Sequence, residues 1–296
     1  MHWRQRHFPS VALAGVTAHL ELTGFPATTS LIGMPFNPRF IAATRATVLL
    51  IVAFCVPRLH AQVTETPQTI EPGGVFMRMD AISLGIAPDT TAPNQYKALA
   101  LGTTIVSAGL TSTLDIEFGA QLFLRDTFST GGSDHTESGI GDVALRSKWT
   151  FWGDPASGQA AAVLPYVILP TNSRAVGNNS AEGGVILPWS MDIAAGTKAG
   201  AMVEWDELRN VANTRYDTRW YGSAYLKWEL GEKFGAYAEM TLSDSTAGSS
   251  TFAGTAGGGA TLSISKAFQW DFEVSRVLGS GRSSWTEVLR FRWKIL

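Results

Sequence analysis

Leu114-Asp115-Ile116-Glu117-Phe118-Gly119-Ala120-Gln121-Leu122-Phe123-Leu124-Arg125 alternates in polarity along nearly its whole length. Leu114, Ile116, Phe118, Ala120, Leu122 and Leu124 fall on one face, and Asp115, Glu117, Gln121 and Arg125 on the other; only Phe123 is out of place. Successive side chains of a strand point to opposite sides, so the run is a strand with one apolar and one charged surface. Similar runs recur near 75–86, 97–109, 113–126, 139–152, 160–170, 183–195, 199–207, 216–230, 233–244, 253–265, 268–279 and 284–295. Most exceed the usual soluble strand of about 5–6 residues. They match the about 9–11 residues with which a tilted strand crosses hydrocarbon. Twelve is an even number, which lets an antiparallel barrel close with both termini on one side.

The connections sort by length. Those after even-numbered runs are short, at 110–112, 153–159, 196–198, 231–232 and 266–267. Those after odd-numbered runs are longer and polar, at 87–96, 127–138, 171–182, 207–215 and 244–252, with 280–283 the exception. Outer-membrane barrels have short periplasmic turns and long external loops, whereas a soluble sandwich has no reason for such parity. Trp149, Trp152, Tyr166, Trp189, Trp205, Trp220, Trp228, Trp270, Trp285 and Trp293 lie mostly toward run ends. Amphipathic rings gather there as girdles at the two membrane interfaces. The expected fold is therefore all-β: a single antiparallel up-and-down transmembrane barrel of about twelve strands over 75–296, in the bacterial outer membrane. A soluble periplasmic β-sandwich is the runner-up, separated by whether the apolar faces point outward or inward. The glycine-rich Ala253-Gly254-Thr255-Ala256-Gly257-Gly258-Gly259-Ala260 is expected to mark a sharp bend or a close approach within a strand.

Upstream of the barrel, Ala46-Thr47-Val48-Leu49-Leu50-Ile51-Val52-Ala53-Phe54-Cys55-Val56 is a short apolar core preceded by Arg39 and Arg45. With Leu59-His60-Ala61 supplying a small residue at the cut, residues 34–61 read as a cleavable signal peptide. Residues 1–33 are expected to be an over-called start or a disordered extension, and 62–74 a periplasmic N-terminal segment. Beyond the targeting region no window holds 18 uninterrupted apolar residues, which excludes a helical membrane protein. Five of the 23 basic residues and one of the 25 acidic ones precede the cut, leaving 18 basic and 24 acidic and a net of −6. A mildly acidic chain without a basic cluster argues against nucleic acid as a partner.

Histidine usage narrows the chemistry further. His2, His7, His19 and His60 precede the expected cut, and His135 alone follows it. Ser133, Asp134 and His135 are consecutive, so their side chains diverge instead of forming a relay. No enzyme is expected on this ground, and no cofactor. A metal site needs three or four convergent ligands, and the mature chain has no Cys and one His.

Polar residues on the inner face are the remaining candidates. By phase they are Asp115, Glu117, Gln121 and Arg125 on the third strand and Asp142, Arg146 and Lys148 on the fourth. Farther on they are Tyr225, Lys227, Glu229, Tyr237 and Glu239. Such side chains either line a water-filled passage or pair across a closed one. Asp115, Glu117 and Arg125 are expected to face Arg146 and Lys148, because inward residues of adjacent strands lie within about 5 Å.

One segment carries a family resemblance: Ser138-Gly139-Ile140-Gly141-Asp142-Val143-Ala144-Leu145-Arg146-Ser147-Lys148-Trp149, followed by Leu164-Pro165-Tyr166-Val167-Ile168-Leu169-Pro170-Thr171. It resembles the Gly-x-Gly-Asp strand and later Leu-Pro-Thr element of the outer-membrane transporter family named for the meta pathway of phenol degradation. The resemblance runs from about Ser83 to the C-terminus; Thr171-Asn172 stands where the family often has Thr-Gly, and Leu296 where a terminal aromatic is usual. It implies a barrel that takes up hydrophobic or aromatic compounds and supplies no ligand residues. The expected function is passive passage of small solutes, with the lipid bilayer and the outer-membrane assembly machinery as partners. A structural or surface-interaction barrel without transport is the alternative, followed by an enzyme with its site in the loops.

Overall fold

The computed structural model describes residues 64–88, 95–130, 133–154, 158–173, 176, 180–209, 214–245, 253–278 and 284–296. The expected over-called start and signal peptide, 1–33 and 34–61, lie outside the described residues. Thirteen strands follow one another: β1 (Val75–Pro88), β2 (Gln95–Thr111), β3 (Leu114–Thr130), β4 (Ser133–Gly139), β5 (Val143–Asp154), β6 (Gln159–Leu169) and β7 (Glu182–Ala194). The series continues with β8 (Thr197–Arg209), β9 (Tyr216–Glu229), β10 (Phe234–Ser245), β11 (Ala253–Ser263), β12 (Phe268–Leu278) and β13 (Trp285–Lys294).

All pairings are antiparallel, and β13 pairs with β1, so the sheet closes on itself. β4 and β5 share one stave. The lower half of β3 pairs with β5, from Leu114↔Trp149 to Ala120↔Val143, and its upper half pairs with β4, from Leu124↔Gly139 to Thr130↔Ser133. The barrel therefore has twelve staves. Of the stretch 127–138, expected as a loop, residues 127–130 and 133–138 instead continue the hairpin, because alternating polar residues outside the membrane pair as well as apolar ones within it.

Burial is inverted relative to a soluble protein. Asp115, Ser190, Asp206, Asp271 and Glu273 are 0–1% exposed, while Ile116, Phe118, Leu122, Leu187 and Val203 are about half exposed at 47–55%. Apolar side chains on the outside and polar ones toward the bore are the arrangement of a barrel in lipid, and they exclude the sandwich. Trp149, Trp152, Trp205, Trp220, Trp285 and Trp293 stand exposed near strand ends. Tyr166, counted above with the girdle, instead turns inward and hydrogen-bonds to Glu204 and Asp206.

The alternation slips by one residue partway up the wall. β1 bulges between Asp80, which pairs with buried Arg290, and exposed Ile82. On β3 the slip falls after Leu122: that residue is 55% exposed, whereas Leu124 is 3% exposed and packs with Ala100 and Val176. Phe123 thereby joins Leu122 on the outer face, which accounts for its place in the sequence pattern. Leu124, placed above on the lipid face, lies inside, and Arg125, placed above in the lumen, is exposed.

The Gly-x-Gly-Asp element has a structural use. At the break between β4 and β5, Ser173 Oγ accepts from Ile140 N at 2.7 Å, and Thr171 Oγ1 accepts from Val143 N at 2.9 Å. Asp142 Oδ1 accepts from Asn172 N and Nδ2 at 3.0 and 2.8 Å. A Cβ on Gly139 would lie 2.1 Å from Ser173 Oγ, so glycine is required for this approach. The two motif halves thus clasp each other, and Asp142 is committed to that clasp. In the glycine-rich β11, a Cβ on Gly259 would meet the Tyr237 ring at 2.6 Å, the close approach expected of that segment.

Candidate functional site in the lumen

Residues 64–71, part of the N-terminal segment expected on the periplasmic side over 62–74, run inside the barrel. They form no strand; backbone groups of Thr64, Glu65, Pro67 and Ile70 meet inward-facing side chains of the wall. Thr64 donates its N–H to Glu239 Oε1 at 2.6 Å, and its hydroxyl lies 2.6 Å from Ser223 Oγ. The Glu65 N–H points at Met202 Sδ, 3.2 Å away. Thr150 Oγ1 donates to the Pro67 carbonyl at 2.6 Å, and Gln68 Nε2 donates to Ser190 Oγ at 3.1 Å. Ile70 N–H reaches both oxygens of Asp115, at 3.0 and 3.1 Å. The chain leaves the bore at Thr69, which donates to Ser112 O, and at Glu71, which pairs with Lys294. The contacts span walls contributed by β3, β5, β7, β8, β9 and β10.

Glu65 is the anchor. Its Oε1 accepts from Arg78 Nη2 at 2.8 Å and Arg146 Nη2 at 2.7 Å, and Lys148 Nζ lies 4.0 Å from Oε2. On the wall, Glu117 faces Arg146 Nε at 2.8 Å and Lys148 Nζ at 3.2 Å. Register brings this about, since Glu117 lies opposite Arg146 and Asp115 opposite Lys148 in the β3–β5 ladder. Burial alone would push the Glu65 carboxyl up; Arg146, Arg78 and Lys148 outweigh it and hold the group well below the usual carboxylate range. The expected pairing of Glu117 with Arg146 and Lys148 is present, whereas Arg125 takes no part in it.

The same cross-strand row continues around the wall as Glu117–Arg146–Tyr166–Gly184–Asp206–Arg219. Arg219 Nη2 lies 2.5 Å from Asp206 Oδ2, and Tyr166 Oη donates to Glu204 at 3.0 Å. Asp206 is 0% exposed, so leaving its cation partly unmatched is costly. Asp206→Asn is expected to destabilise the barrel by about 1–3 kcal/mol, read by urea unfolding in vesicles.

The other candidates scatter along the wall. Tyr225, Tyr237 and Glu239 are buried; Tyr237 Oη donates to Glu273 Oε2 at 2.7 Å, and Glu239 receives Thr64. Gln121 and Lys227 are half-buried, and Glu229 is exposed near the short turns. His135, exposed on β4, lies 3.1 Å from Glu137. Among the described residues, no three His, Cys, Asp or Glu side chains are grouped as metal ligands. Sequence reasoning missed the lumen segment altogether.

Beside Glu65 lies a cavity of about 440 Å³, lined by the segment and by Phe76, Arg78, Ile105, Glu117 and Lys148.

Among solved structures, an outer membrane channel from Pseudomonas putida F1 superposes with a TM-score of 0.61 at 11% identity, covering 79% of this chain and all of that one. That likeness supports the barrel architecture. The NanC porin, at 11% identity, covers 75% of this chain and all of its own, with a TM-score of 0.49. A monoaromatic hydrocarbon channel, CymD, at 8% identity, covers 76% of this chain and 89% of its own, also at 0.49. No curated protein matches the chain. The profile of the family described as "Putative MetA-pathway of phenol degradation" matches residues 86–295, spanning β2 to β13, and the chain belongs to that family of outer-membrane β-barrels.

Proposed function

We propose that the protein is a passive outer-membrane channel whose lumen is closed by its own residues 64–71, and that small solutes pass when this segment withdraws. One observation carries the proposal: the segment is held by single hydrogen bonds and ion pairs to a polar wall, with no strand pairing. Water or a polar solute can replace each such contact, so the segment is exchangeable in a way that a wall strand is not. Hydrophobic and aromatic compounds are the solute class that the family description points to. No energy coupling or catalysis is invoked. Insertion would depend on the outer-membrane assembly machinery engaging the amphipathic β13, which closes the barrel against β1.

Liposome swelling in arabinose tests the proposal. Deleting residues 64–71 is expected to convert slow swelling into fast swelling. A folded deletion variant that swells no faster than the intact protein would overturn it.

A further inference from the structure

The Glu65 carboxylate is an internal ligand, and its binding site belongs to the wall. Arg146 turns two edges to two carboxylates: Nε faces Glu117 and Nη2 donates to Glu65. Arg78 adds a second guanidinium donor and Lys148 a third cation. Guanidinium forks match the planar geometry of a carboxylate, which is why arginine dominates such recognition. Lys148 and Glu117 side chains are only 9% and 4% exposed, and the Glu65 side chain is 8% exposed. This is therefore a built, largely desolvated site.

When the segment leaves, Arg78, Arg146 and Lys148 remain beside two wall carboxylates, Glu117 and Asp115, a surplus of one positive charge in a confined space. A solute that brings its own carboxylate restores the balance, whereas a neutral or cationic solute does not. The adjoining cavity of about 440 Å³ has Phe76 and Ile105 on its wall side, within the size range of pockets that take small organic ligands. We infer that Arg78, Arg146 and Lys148 form a receptor for small organic monocarboxylates with an apolar body, and that such solutes compete with Glu65 and displace residues 64–71. The inference rests on the plugged-channel reading for its consequence, although the site itself can be measured without any passage.

Calorimetric titration of the full-length protein in detergent with potassium benzoate, and with benzylammonium chloride as the cation of like size, provides the test. Glu65→Gln frees the cations while leaving the chain complete, and it is expected to bind benzoate at least tenfold more tightly than the wild type. Adding Arg78→Gln and Lys148→Gln to Glu65→Gln should reverse that gain by tenfold or more, and benzylammonium should show no gain. Arg78→Lys on the same background, which keeps the charge and loses the fork, should fall between the two and covers the case in which the triple variant does not fold. Equal benzoate affinity in wild type and Glu65→Gln, or equal gains for benzoate and benzylammonium, would overturn the receptor. Arabinose swelling of the same Glu65→Gln protein separates the two ideas. Fast swelling without benzoate preference defeats the receptor and leaves the channel, and benzoate binding without swelling does the reverse.

Discussion

Glu65→Ala in the intact chain is expected to shift the lumen from mostly closed to mostly open. The wild-type carboxylate accepts two charge-assisted hydrogen bonds, from Arg78 and Arg146, and lies near Lys148. Bonds of this kind contribute about 1.5–3 kcal/mol each, and removing one partner of a buried ion pair costs about 3–5 kcal/mol. The bore admits water once the segment moves, so the lower end applies, about 3 kcal/mol. That is roughly a hundredfold change in the ratio of closed to open channels. The remaining holds within the bore include Thr64 on Glu239, Gln68 on Ser190, Pro67 on Thr150 and Ile70 on Asp115, none of them a cation–anion pair. The other ion pair of the segment, Glu71 with Lys294, is exposed where the chain leaves the bore, so water screens it. Single-channel recording in planar bilayers reads the effect as open probability. An open probability equal to that of the wild type would mean that Glu65 does not anchor the segment.

Most of the wall was legible from the sequence because its determinants are local. Alternation in 114–122 follows from strand geometry alone, and it survives in the exposures of Asp115, Ile116, Glu117 and Phe118. Turn parity was legible for the same reason. The slip after Leu122 was not, because it depends on how β1, β2 and β3 coil together; Ala81 and Gly102 fall at the same height of the wall. Its one trace in the sequence was Phe123, an apolar residue in a polar phase. Arg125 was misplaced by continuing a single phase across that slip.

The lumen segment illustrates the opposite limit. Thr64-Glu65-Thr66-Pro67-Gln68-Thr69-Ile70-Glu71 has no periodicity and reads as a polar linker. Its position is set by partners far along the chain, such as Ser223 and Glu239, and no local pattern encodes them. The charges on β3 and β5 fall between these cases. Their pairing could be expected from strand adjacency, but the third carboxylate that Arg146 and Lys148 hold could not. Asp142 is a further instance: the motif was visible, whereas its clasp on Asn172 became apparent only in three dimensions.

The outer face permits an equally sharp test. Phe118 sits near the middle of the membrane-crossing part of β3 and is 47% exposed on the apolar side. Its row of cross-strand neighbours reads Met77, Val106, Phe118, Leu145 and Val167, apolar throughout. An arginine there has neither a partner nor water at that depth, and the penalty for Arg on the lipid face at the midplane is about 2–4 kcal/mol. Phe118→Arg is therefore expected to destabilise the barrel by that amount in reversible urea unfolding from phospholipid vesicles. Gln121→Arg, three residues on and turned toward the bore, should cost far less because its head group stays among water and polar side chains. The contrast removes the generic effect of adding an arginine to β3. Equal losses for the two variants would mean that the two faces of β3 see the same solvent, and the assignment of its apolar face to lipid would fall with them.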